Sequence, residues 1–261
     1  MKRTLFGMFA VICAMALGPT PTIAQDIPDT VTIGTEGAYP PFNFIDEQGE
    51  VAGFEIDLAN AMCAHLEIEC EFVVQDWDGI IPGLLAQKYD AIIASLYITD
   101  ERREQIAFSD KYYKVPARFV VPADSDIEIS AEGMEGMVVG TQRATSFDRF
   151  MRDQFPEVDL RVYATMDEAY LDLASGRVDA VLGDVVAISE GFLKTPDGEG
   201  FEFRGPEFTG SEWFGYGAGV GVRKEDAGLA DAFSEAIAAL RADGTYQEIA
   251  DRWFGFDVYG E

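Results

Sequence analysis

Glu36, Tyr39, Ser95, Thr145 and Asp184 each stand just beyond an apolar run of the chain. Together these side chains offer recognition chemistry. A carboxylate can hold an ammonium or guanidinium, hydroxyls and turn amides can hold an anion, and an aromatic ring can cover an aliphatic or cationic stem. The same carboxylates could serve as a general acid or base if their pKa values were raised. Other chemistry has less support. His65 is the one histidine, it lies in an amphipathic run expected to present it on a helix surface, and no nucleophile-base pair, metal cluster or phosphate loop accompanies it. We therefore expect no catalytic residue, no metal and no cofactor.

The elements that must position these residues occur twice. Residues 31–39 (VTIGTEGAY) and 137–145 (MVVGTQRAT) share an apolar run, then Gly-Thr, an acid or amide, and Ala two further on. Residues 84–95 (LLAQKYDAIIAS) and 173–184 (LASGRVDAVLGD) each read as a helix end, a tight turn and a buried strand. Two matched pairs in the same order argue for two similar α/β units rather than chance. Glu36 falls where Gln142 falls in the second copy. Residues 55–65 and 231–241 carry apolar positions at helical spacing. Strands alternating with helices predict parallel sheets, and ligands of such sheets sit beyond the carboxyl ends of the strands. Two units presenting that edge to one another would enclose a cleft.

Residues 1–24 read as a secretory leader, with Lys2 and Arg3 ahead of a short apolar core and Thr22-Ile23-Ala24 as a small-x-small cleavage site. Cys13 lies inside that core behind Ile12, which does not fit a lipid-acceptor signal. No later run reaches the length of a membrane-spanning helix. The mature chain is therefore expected outside the cytoplasm. Asp and Glu number 47 against 19 Lys and Arg, for a net charge of −28, which repels nucleic acid and anionic lipid but attracts cationic solutes. Cys63 and Cys70 are the cysteines left after cleavage. In an oxidising compartment they are expected to close a small disulfide loop; a metal pair would lack further ligands.

Seven further motifs carry a resemblance. They are Gly53-Phe-Glu-Ile-Asp-Leu58 with its continuation to Leu66, Tyr39-Pro-Pro-Phe42, Trp77-Asp-Gly-Ile-Ile-Pro82, Ser95-Leu-Tyr-Ile-Thr-Asp-Glu-Arg102, Gly176-Arg-Val-Asp179, Gly221-Val-Arg-Lys-Glu-Asp226 and Asp243-Gly-Thr-Tyr246. In this order and spacing the chain resembles the bacterial extracellular solute-binding proteins of family 3, which serve polar amino-acid ABC transporters. The resemblance runs almost throughout and is nearest to the histidine-, lysine/arginine/ornithine- and opine-binding members, a subgroup with paired cysteines.

The resemblance implies a role for each site residue. Arg102 would hold the ligand carboxylate through its fork of donors, helped by Ser95 and by the turn at Thr145 and Ser146. Asp184 would take the ammonium, a role compatible with capping the helix that follows. Glu36, Tyr39 and Trp77 would select a cationic side chain. Tyr97 stands where many relatives carry serine or aspartate, and Phe147 replaces a polar residue of some basic-amino-acid binders; whether either lines the pocket is open at this point.

The fold it implies is α/β: a two-lobed periplasmic-binding-protein fold of type II, each lobe a central sheet flanked by helices, with two hinge crossings. Residues 26–113 and 217–261 would form lobe one and residues 114–216 lobe two. The expected function is binding of arginine, lysine, ornithine, histidine or an opine derivative by a monomer, through lobe closure, with delivery to a membrane permease. The alternative from another class is a secreted enzyme related to the cyclohexadienyl dehydratases, which would need a raised-pKa acid and an altered clamp.

Overall fold

In the computed structural model, residues 27–260 are described; the leader expected over residues 1–24, Cys13 included, lies outside the described residues. The apolar runs of the repeat form its parallel strands. Thr30–Thr35 pairs in parallel with Glu69–Val74 on one side and Ala91–Ile92 on the other. Val138–Gln142 takes the same central place between Asp159–Tyr163 and Ala180–Asp184.

Two further strands complete each five-stranded sheet. Ala218–Val222 and Ala107–Tyr113 join the first sheet; Ala117–Pro122 and Phe201–Phe208 join the second. All four are antiparallel to their neighbours, so the expectation of parallel sheets holds for three strands of each. The physical reason is connectivity. A strand delivered from the other lobe is not tied to its neighbour by a helical crossover within one sheet, the connection that enforces parallel pairing. The chain passes between the sheets twice, after Tyr113 and after Phe208, and each passage delivers the fourth strand of the sheet it enters.

Helices cover the sheets through their apolar faces. Ala227–Asp243 turns Leu229, Phe233, Ile237 and Leu240 inward at helical spacing, and burial of Phe233 alone contributes about 2 kcal/mol. Ser146–Gln154 and Met166–Ala174 cover the second sheet, each started by a threonine, Thr145 or Thr165, whose side chain accepts a backbone N–H of the first turn. Phe54–His65 packs on the first sheet, and its entry requires Gly53: φ is 129° there, and a Cβ would run into the carbonyl oxygen of Phe42. His65 is exposed at its last turn. Cys63 and Cys70 form a disulfide, Cα atoms 6.1 Å apart, which ties this helix to the edge strand Glu69–Val74.

Candidate functional site

The two repeat copies meet at their matched residues. Glu36 follows the first strand and Gln142 ends its counterpart; Gln142 Nε2 donates to Glu36 Oε1 at 2.6 Å and also to the carbonyl of Ala164. A cavity opens beside this pair at the carboxyl ends of both sets of parallel strands, with Glu36, Tyr39, Trp77, Ser95, Tyr97 and Arg102 on one side. Gln142, Thr145, Ser146 and Phe147 line the other side. Both lobes thus supply walls, and Phe147 and Tyr97 are among them, their rings 6.1 Å apart across the cleft.

One end of the cavity carries positive charge. Arg102 sits in the short helix Asp100–Arg103, whose start is fixed by Thr99 Oγ1 accepting from the Arg102 amide. The residue is 9% exposed. Its guanidinium donates to the carbonyl of Tyr97 at 2.8 Å, reaches the carbonyl of Ala144 in the opposite lobe at 3.4 Å, and lies 5.3 Å from the centre of the Trp77 ring. Among the described residues no carboxylate forms an ion pair with it. Burial lowers its pKa to about 10, which still leaves it charged at neutral pH. Opposite, the Thr145 hydroxyl is occupied: it donates to the carbonyl of Gln142 and accepts from Asp148 N–H. That cap leaves the Ser146 and Phe147 amides without partners inside the helix, and their dipoles point positive charge the same way.

The other end carries a carboxylate. Glu36 is 6% exposed. Burial pushes its pKa up to about 7; the Gln142 hydrogen bond opposes that rise and the negative field of Glu55 adds to it. Tyr39 is held as a wall by stacking on Phe42, which stacks in turn on Tyr113 at 4.4 Å. Trp77 belongs both to the wall and to a small apolar core with Ile80, Leu84 and Tyr89, so its ring is fixed in place. A solute seated between the ends would touch an acid, three aromatic faces and a guanidinium.

Asp184 stands apart from the cavity surface. Its Oδ1 caps the helix Val185–Ile188 by accepting from Val186 and Ala187, and its Oδ2 accepts the Tyr97 hydroxyl at 2.9 Å. Tyr97 therefore screens it. Burial raises the Asp184 pKa to about 7, against the pull of these hydrogen bonds.

Three polar residues that sequence reasoning passed over, Glu55, Asn43 and Tyr112, lie directly beneath the site. Glu55 is fully buried and accepts hydrogen bonds from Ser95, Asn43 and Tyr112. Its spacing from Leu58, Ala59 and Met62 places it on the inward face of its helix, a signal that periodicity alone carried. Asn43 and Tyr112 had no local signature. Gln142, by contrast, was visible as the counterpart of Glu36.

Partly exposed ion pairs lie at the rim, Arg143 with Asp78 at 2.5 Å and Arg149 with Glu101 at 3.2 Å, each joining one lobe to the other. Such pairs are worth under about 1 kcal/mol each. Most of the residues that line the cavity are buried.

Known proteins place this architecture. The sequence profile of bacterial extracellular solute-binding proteins, family 3, matches residues 31–256. The lysine/arginine/ornithine-binding periplasmic protein of Escherichia coli is 44% identical over 263 residues, covering 100% of both chains. The L-arginine-binding protein of Pseudomonas aeruginosa is 43% identical over 255 residues, covering 96% of this chain and 98% of its own. Among solved structures, an ancestral arginine-binding protein bound to arginine superposes with a TM-score of 0.79 at 36% identity, covering 87% of this chain and 99% of that one. Agreement over nearly the full length, in sequence and in the paired sheets that form the cleft, makes this chain a member of the bacterial extracellular solute-binding proteins, family 3.

Proposed function

We propose that this protein is the periplasmic binding component of an amino-acid ABC importer and that its ligand is a cationic amino acid, arginine, lysine, ornithine or histidine, or an opine built on one. The observation that carries the reading is Arg102, a buried guanidinium in the inter-lobe cavity with no carboxylate partner among the described residues. Such a charge is costly to bury, and a ligand carboxylate would offset that cost with paired, charge-assisted hydrogen bonds. Ser95 and the Ser146 and Phe147 amides would complete the carboxylate site, with Thr145 holding the helix start. Glu36, Tyr39 and Trp77 would receive the cationic side chain. Asp184 would take the ammonium once the Tyr97 hydroxyl gives way.

Lobe one comprises residues 26–113 and 217–261 and lobe two residues 114–216 in this reading. The sheet membership of the strands supports these limits, as do the crossings after Tyr113 and Phe208. The ligand contacts both lobes and so favours the closed arrangement by its differential affinity. The permease would recognise that arrangement in a monomeric binding protein, and its ATPase would drive release. The relatives named for arginine, lysine and ornithine support the ligand class, and the name of the Escherichia coli relative supports a periplasmic location, which removal of residues 1–24 on export would accompany.

A thermal-shift panel of amino acids and opines on refolded protein tests the reading. Ligand at 100 times its Kd should stabilise the fold by about 2.7 kcal/mol, several degrees at this size. A panel in which no zwitterionic amino acid or derivative moves the melting point would remove its support. The raised Glu36 pKa is one feature that an acid catalyst would share, so cyclohexadienyl acids belong in the panel, and their dehydration would establish the enzyme instead.

A further inference from the structure

We propose that Glu55 is a positioning residue that locks two cleft loops of lobe one into register, so that the acid-bearing loop and the Ser95 turn present one joint ligand site. The inference rests on the ligand site proposed above. The donors around the Glu55 carboxylate come from three separate parts of the chain. Oε2 accepts from Asn43 Nδ2 at 2.6 Å, and Asn43 uses its own Oδ1 to accept the Gly37 amide at 2.8 Å, which pins the turn next to Glu36. Oε1 accepts the Ser95 amide at 2.7 Å and the Ser95 hydroxyl at 3.2 Å. Ser95 needs that hold, because its φ of 53° lies in the left-handed region that a side-chain-bearing residue adopts only under constraint. Oε1 also accepts the Tyr112 hydroxyl at 2.6 Å, from the strand that leads into the first crossing.

The polarity of this network admits no simple amide replacement. With Glu55→Gln, the new NH2 must face either Asn43 Nδ2 or the Ser95 amide, two donors in contact in each case. Rotating Asn43 only moves the conflict to the Gly37 amide. Moving the carboxylate to position 43 cures it: a carboxylate there accepts from Gly37 with one oxygen and from the new NH2 with the other, while the amide oxygen introduced at position 55 keeps Ser95 and Tyr112. The pair of substitutions conserves net charge and nearly conserves volume.

Calorimetric Kd values for arginine, together with the amide resonances of Gly37 and Ser95, test this in wild type, Glu55→Gln and the double variant Glu55→Gln/Asn43→Asp. The expected result is affinity weaker by about tenfold or more in Glu55→Gln, the size of one unmatched buried donor, with both resonances displaced. The double variant should return to within about threefold of wild type and restore both resonances. If Glu55→Gln binds like wild type, or the folded double variant stays as weak as the single, the inference is overturned. Should the single variant fail to fold, the double variant decides alone by the same threshold. Wild type that binds no amino acid would refute the ligand reading instead, and then the two resonances alone test the register of the loops.

Discussion

Protonation of Glu36 should set how strongly this protein prefers arginine over a neutral analogue. Burial raises the Glu36 pKa to about 7, so below neutrality a proton competes with the ligand's cationic side chain for the same carboxylate. For a group with a pKa of about 7, lowering the pH from 8 to 5.5 costs the ionised form about thirtyfold in availability, or ~2 kcal/mol. Asp184 has a raised pKa as well, but it would act on the ammonium, which glutamine shares. The ratio of arginine to glutamine affinity therefore isolates Glu36 and should fall about thirtyfold over that range. In Glu36→Gln the amide oxygen can still accept from Gln142, so lobe contact survives, and the ratio should become flat. Arginine affinity at pH 8 should drop by ~1–3 kcal/mol, the range of a charge-assisted hydrogen bond, while glutamine loses much less. Titration calorimetry in buffers of different ionisation enthalpy counts the protons released. A ratio independent of pH in wild type, or equal loss of both ligands in the variant, would refute the cationic assignment. The sign for stability runs the other way. A carboxyl raised in the folded state contributes stability that is fully present below its unfolded pKa, and that stability is lost as pH rises through about 7. The burial of Glu36 should therefore cost the fold least in acid, whereas its hydrogen bond from Gln142 favours the ionised carboxylate.

Arg102→Ala should weaken amino-acid binding by ~2–5 kcal/mol, because the ligand carboxylate would lose its buried partner, with little change in the melting point of the free protein; near-unchanged affinity would locate the carboxylate elsewhere. Tyr97→Phe frees Asp184 Oδ2 from its present donor, so affinity for a free ammonium should rise by about 1 kcal/mol, and an unchanged or weaker Kd would mean that the hydroxyl stays between Asp184 and the ligand. Denatured mature protein should take up no thiol reagent before reduction, and breaking the Cys63–Cys70 bond should cost up to ~2–3 kcal/mol, since short loops gain least from closure; two reactive thiols in the unreduced sample would exclude the bond.

Local pattern determined much of this protein by itself. Strand-turn and helix-turn-strand units repeat as strings of neighbouring residues, and each unit folds as its own apolar periodicity dictates. The two sheets, the strand-end position of the candidate site and the equivalence of Glu36 and Gln142 in the repeat were therefore open to reading along the chain, while the hydrogen bond between the two was not. Arg102 and Trp77 became candidates through their motifs, because a loop sequence alone does not say which way a side chain faces. Tertiary structure decided what depends on distant segments meeting. The antiparallel fourth strand of each sheet follows from the two crossings, and neither crossing leaves a periodic mark. Whether Asp184 faces the cleft depends on Tyr97, 87 residues away in the chain. Glu55 showed its burial through helical spacing, but its partners Asn43, Ser95 and Tyr112 assemble only when three segments pack together. A hydrogen-bond network is specified by donor and acceptor geometry in space, and sequence separation carries no information about that geometry.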